Sequence, residues 1–154
     1  MTSKPIHLAI AFFQWKEWPV QKTNDPNTIV SIFQGKNGQW NVYALQHPER
    51  AQLAFYSLFP MHFQDRHVPK LLEFVARANE GLIIGNFEIF LEHKEVRFKT
   101  SIDLTDQELN MKYCNPLVYY NLLSMDNHYL ALSAMIEQDF SCQYAMGLIS
   151  TDTP

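Results

Sequence analysis

The first residues whose types could do chemistry are His62, Asp65 and His67, in the run His62-Phe63-Gln64-Asp65-Arg66-His67. Imidazole nitrogens and a carboxylate are the donors a zinc-like ion takes, and a bound metal would activate water for hydrolysis. The spacing argues against that reading. His62 and His67 stand five residues apart, whereas ligand pairs on a helix stand three or four apart on one face. A third ligand is also needed, and the sequence places neither His93 nor His128 beside them. The histidines read as surface residues of a loop, and a metal-dependent hydrolase is the least favoured function.

The other candidates are weaker still. Cys114 and Cys142 are the only cysteines, with no CxxC spacing, and the context Tyr113-Cys114-Asn115-Pro116 offers no base to activate a thiolate. Two reduced, partly buried thiols are expected. Glu88, Glu92 and Glu95 alternate with Lys94, Arg97 and Lys99 in the manner of a solvated charge lattice. No glycine-rich phosphate loop is present. The expectation is a protein with no catalytic residues, no cofactor and no metal.

Composition narrows the class. A chain of 154 residues with 47% hydrophobic content fits one domain with a sizeable core. Its 11 Phe, 7 Tyr and 3 Trp, against 5 Gly, exclude a disordered chain. The net charge of −4 is concentrated late: from Asp106 onward there are six acids and a single base, Lys112. No Lys/Arg cluster is available to neutralise phosphates, so nucleic acid and anionic membranes are not expected partners. Met1-Thr2-Ser3-Lys4-Pro5 lacks the pattern of a signal peptide and no run approaches a membrane span, so the cytoplasm is the expected location.

The elements that would position these residues follow from periodicity. Pro5 suits the first position of a helix capped by Thr2 or Ser3, with Ile6, Ala9, Ile10 and Phe13 as its stripe, widened by Leu8, Phe12 and Trp15. Trp18-Pro19 should end it, and 22–27 reads as a loop. Strands are predicted over 28–34 and 39–46, joined at Asn37-Gly38 by a two-residue turn that pairs Phe33 with Val42, Ile32 with Tyr43 and Val30 with Leu45. Both faces of this hairpin are apolar: Ile29, Phe33, Trp40 and Val42 on one, Val30, Ile32, Tyr43 and Leu45 on the other.

A third strand is expected over 51–59. A helix from about Pro69 to Asn79-Glu80-Gly81 should carry Leu71, Leu72, Val75 and Ala76 inward. Strands over 84–92 and 95–102, turning at His93-Lys94, would pair Leu91 with Val96, Ile89 with Phe98, Phe87 with Thr100, Glu88 with Lys99 and Phe90 with Arg97. Thr105 and Glu108 form a capping box with Leu104 and Leu109 as a hydrophobic staple. They predict a helix from Asp106, kinked at Asn115-Pro116 and resuming through Leu123, and a last helix capped by Asp126. The domain should span 1–149, with 150–154 as a frayed tail.

Asn79…Gly85-Asn86-Phe87-Glu88-Ile89 resembles the Asn-x-x-G-x-F-x-apolar signature of the YbjN family. The basic strand Val96-Arg97-Phe98-Lys99 and the Asp126-Asn127-His128-Tyr129 segment fit the same pattern, and the similarity runs from about Thr28 to Ile136. The resemblance implies an α+β single domain with an antiparallel sheet, ordered α-β-β-β-α-β-β-α(α), in the fold of the type III secretion chaperones. Those are small, acidic, usually dimeric proteins that hold partner segments, and the family supplies no catalytic residues. Two departures stand out: no glycine at the second hairpin turn, and an N-terminal helix rich in Phe and Trp.

Together these readings point to a non-enzymatic protein-binding module, expected to be a homodimer, whose extra face of Val30, Ile32, Tyr43 and Leu45 meets an unknown partner or a second copy. The alternative is a small-molecule or lipid carrier with an aromatic-lined cavity.

Overall fold

In the computed structural model, which describes residues 4–151, every helix packs on one side of a single sheet. Helix α1 (Pro5–Trp15) is followed by strands β1 (Gln21–Lys22), β2 (Thr28–Gln34), β3 (Gln39–Gln46) and β4 (Gln52–Leu58). Then come α2 (Val68–Glu80), β5 (Asn86–Phe90), β6 (Glu95–Asp103), the long α3 (Cys114–Ile136) and the short α4 (Cys142–Met146). The sheet is antiparallel throughout, in the order β1-β2-β3-β4-β6-β5. The expected α+β order is the one observed, with β1 as an added edge strand where a loop was predicted. Among the described residues no helix is long and apolar enough to cross a membrane.

The core lies between the sheet and its helices. Ile29, Trp40, Val42, Ala44, Leu53, Phe55, Phe87, Val96 and Phe98 turn toward α1, α2 and α3 and are all buried. Phe13 of α1 meets Phe55 at 6.2 Å between ring centroids, and Phe74 of α2 meets Phe87 at 6.2 Å. Asn121, wholly buried on α3, ties two strands at once: its Nδ2 donates to the carbonyls of Phe55 at 2.9 Å and Phe98 at 3.1 Å.

Both hairpins differ from expectation by two residues. The β2–β3 connection is a four-residue loop, Gly35 to Gly38, closed by the Gly35 N–H on the Gly38 carbonyl at 2.8 Å, so Phe33 faces Trp40, Ile32 faces Asn41 and Val30 faces Tyr43. The Asp126 carboxylate holds that loop open by accepting from the Lys36 N–H at 2.9 Å and the Asn37 N–H at 2.8 Å. Gly38 is required there because a Cβ would stand 2.1 Å from the Tyr129 ring. The β5–β6 loop is likewise four residues, so Phe87 faces Phe98, Ile89 faces Val96 and Glu88 faces Arg97. A shift of two leaves every side chain on its expected face.

The helices bring further corrections. No helix starts at Asp106, which adopts φ of 59°. The Thr105 N–H is taken by the Asp103 carboxylate at 2.8 Å, a local turn that competes with the capping box. Helix α3 instead starts at Cys114 and runs unbroken past Asp126, which caps no helix. Pro116 occupies its first turn, where a missing N–H costs nothing, so it does not kink the helix. On α2 the buried stripe is Leu71, Phe74 and Ala78, while Leu72 and Ala76 are exposed. Trp15 is 60% exposed and lies outside the core. The proposed caps Thr2 and Ser3 lie outside the described residues, as do 152–154 of the expected tail; Ser150 donates its N–H to the Asn127 carbonyl at 2.9 Å.

Candidate partner-binding face

Strand alternation puts one set of side chains into the core and the other on the opposite face. On this sheet the second set meets no helix, because α1, α2, α3 and α4 all lie on the first side. Val30, Ile32, Tyr43 and Leu45 stand together on that uncovered face, and none of them is buried; Ile32 is 44% and Leu45 37% exposed. Pairing of β3 with β4 brings Tyr56 opposite Tyr43 and Leu58 opposite Asn41, which extends the apolar area across three strands. Beyond β4 the face changes character. There β6 and β5 present Arg97, Lys99, Glu88 and Phe90.

The two halves meet at a depression of about 360 Å³ whose walls include Tyr43, Leu45, Tyr56, Leu58, Phe90 and Arg97. The Arg97 guanidinium lies over two rings, 5.0 Å from the Tyr56 centroid and 4.4 Å from that of Phe90. Lys99 Nζ reaches Glu88 Oε1 at 2.7 Å, while Arg97 Nη2 stays 3.7 Å from Glu88 Oε2. The hydrogen-bonded Glu88 carboxylate holds the Lys99 ammonium above its usual range, against the opposing effect of burial. Thus the contacts expected between Glu88 and Lys99, and between Phe90 and Arg97, both exist, as diagonal rather than directly opposite pairs.

The histidine cluster is not assembled. His62 is exposed and points its Nε2 at Glu95 Oε1, 3.6 Å away, and Asp65 pairs with Lys94 at 3.0 Å. His67 is buried rather than on the surface. Its Nδ1 accepts the Gln64 N–H at 3.1 Å and its Nε2 faces Asp139 at 3.5 Å. Burial, with Arg66 and Lys70 nearby, lowers the His67 pKa against the pull of Asp139. Among the described residues no group of three His, Cys, Asp or Glu side chains could hold a metal ion. Cys114 and Cys142 are free and buried, and desolvation pushes the Cys114 thiol up to about 12, the reverse of what a nucleophile needs.

Sequence reasoning missed the contribution of Tyr56, Leu58 and Phe90 to the open face. The signal was present on β4, where Ala54, Tyr56 and Leu58 alternate with the core residues Leu53, Phe55 and Ser57. An aromatic-lined space also exists on the helical side. It is a groove of about 290 Å³ between α1 and α3, walled by Phe12, Trp18, Phe33, Val118 and Leu122, and it opens to solvent.

The signature residues have structural work to do. The Asn79 side chain accepts the Phe87 N–H at 2.7 Å and donates to the Phe87 carbonyl at 3.1 Å, standing in for a neighbouring strand at the free edge of β5. Gly85 adopts φ of +79°, and a Cβ there would meet the Phe98 ring at 2.6 Å. Phe87 fills the core against Phe98 at 4.8 Å and against the buried His128 at 4.8 Å. The chain thus combines a six-stranded antiparallel sheet, helices on one side and an asparagine-sealed edge.

The chain belongs to the YbjN family, described as a putative bacterial sensory transduction regulator, whose family profile matches residues 11–132. Among solved structures it is similar to YbjN, a putative transcription regulator from E. coli, at 6% identity and a TM-score of 0.57, covering 79% of this chain and 85% of that one. It is also similar to a chain of the ExsC–ExsE complex, at 15% identity and a TM-score of 0.48, covering 78% of this chain and 86% of that one. No curated protein sequence matches it.

Proposed function

We propose that this protein is a non-enzymatic, chaperone- or adaptor-like module of the cytoplasm that holds a segment of a partner protein on the open face of its sheet. The carrying observation is the contiguous apolar area of Val30, Ile32, Tyr43, Leu45, Tyr56 and Leu58, left bare by helices that all lie on the other side. A contiguous apolar area exposed on a folded domain supports reading it as an interaction site. At about 4.8 Å between strands and about 3.3 Å per residue, the five long strands span roughly 500 Å² in projection. A standard interface buries about 800 Å² on each side, so the face suits an extended segment that overruns its edges. A second copy of the chain is the competing occupant, in keeping with the expected homodimer.

The test is affinity purification from the native host, with mass spectrometry and a light-scattering mass of the eluate, for the wild type and an Ile32→Asp/Leu45→Asp variant. A stoichiometric partner lost from the variant supports the reading. A wild-type homodimer that the variant splits gives the face to a second copy. The same partner on both proteins refutes a role for the face.

A further inference from the structure

The open face holds a cation that its own neighbours leave unsatisfied. A guanidinium carries five N–H donors in one plane, yet Arg97 makes no hydrogen bond to any described residue, and its Nε is buried without a partner. Its nearest carboxylate, Glu88, is held by Lys99 at 2.7 Å and remains 3.7 Å from Arg97 Nη2, beyond hydrogen-bond length. The carboxylate that does line the depression, Glu95, lies beside His62 at 3.6 Å. Meanwhile the rings of Tyr56 and Phe90 contact the guanidinium from the strands on either side. Those two contacts limit the movement of the guanidinium before any ligand arrives.

The Arg97 side chain is 27% exposed on this face, so an acceptor laid against it can complete hydrogen bonds that Glu88 leaves unmade. A planar fork matches a carboxylate, which can take two parallel N–H bonds. Around it, Leu45, Leu58, Tyr43 and Tyr56 accept apolar side chains. We propose that Arg97 is the selectivity residue of this face, engaging the carboxylate of an aspartate or glutamate carried within an otherwise apolar, extended segment of the partner protein. The proposal rests on the reading of the open face as the partner site.

The probe is a random dodecapeptide library displayed on phage and panned against wild type, Arg97→Gln and Ile32→Asp, each checked for native circular dichroism. Wild type is expected to select apolar peptides enriched in a single Asp or Glu, and Arg97→Gln to select apolar peptides without that enrichment. A selected peptide should bind Arg97→Gln about tenfold more weakly or worse, the scale of a lost charge-assisted bond. Changing its acid to the amide should cost as much in wild type and add nothing in the variant. Apolar peptides with no acidic preference, or a preference that Arg97→Gln retains, overturn the role of Arg97 and leave the face reading standing. Peptide recovery that Ile32→Asp does not reduce overturns the face reading itself.

Discussion

A paired truncation tests whether burial is confined to one side of the sheet. Phe98 is fully buried, with Phe87 at 4.8 Å on its own face, whereas Ile32 is 44% exposed on the other. Removing a buried Phe ring costs about 3–5 kcal/mol, from lost transfer energy and the cavity left behind. For a domain of this size that is a fall in Tm of roughly 6–20 °C, at about 2–4 °C per kcal/mol. Ile32→Ala removes carbons already half in water and opens no cavity, so its cost should stay below about 1 kcal/mol. Urea titration followed by far-ultraviolet circular dichroism, at two protein concentrations tenfold apart, reads both. A Phe98→Ala cost under about 1 kcal/mol would mean that the β6 faces are inverted. An Ile32→Ala cost above about 2 kcal/mol that grows with concentration would mean that the open face is covered by a second copy in solution.

Two more outcomes follow from polar groups in and beside the core. His67 and His128 both have lowered pKa values, each chiefly through burial. The unfolded chain therefore takes up more protons than the folded one below about pH 6.5. Stability should be level above that pH and fall as the pH drops through the window between 6.5 and the lowered folded values. Melting temperatures at pH 8, 6.5 and 5 check this, and an unchanged value at pH 5 would contradict it. Replacing Asn79 by Ala removes two bonds to the Phe87 backbone, at 2.7 and 3.1 Å, and bares the β5 edge. A loss of about 1–2 kcal/mol and an increase in light-scattering mass with concentration are expected; no change in either would mean that the side chain seals nothing.

The faces of the sheet were legible in the sequence because they depend only on alternation. Val30, Ile32, Tyr43 and Leu45 lie where their parity places them, and the two-residue register shifts in both hairpins left that parity intact. The registers themselves were not legible. The β2–β3 loop is propped by Asp126, 89 residues from Asn37 in sequence, and no local turn rule contains that contact. The same distance effect misled the reading of Asp126 as a cap. Its environment suits a cap, but the backbone N–H groups it satisfies belong to another element. Around Thr105 the error was local: Asp103 offered its carboxylate to the Thr105 N–H, while Leu104 was fixed to the Ala51 carbonyl at 2.7 Å. With these two bonds made and Asp106 at φ of 59°, the chain turns there instead of entering a helix. The isolated guanidinium of Arg97 could not be read from spacing, since it depends on Lys99 drawing Glu88 away.

The placement of the tryptophans carries a practical consequence. Trp15 sits on α1, Trp18 follows it, and Trp40 points from β3 to the same side, where its Nε1 donates to Ser57 Oγ at 2.9 Å. Rings at 5.3 to 6.2 Å link them through Phe12 and Phe33. All three indoles therefore report from the helical layer. Their emission will follow unfolding, or a ligand entering the α1–α3 groove, and Trp40 alone of the three also borders a depression that includes Ile32 and Leu58 of the opposite face. The fluorophores on that face are Tyr43 and Tyr56, so tyrosine emission, or a dye attached on that side, gives the direct optical signal for partner docking.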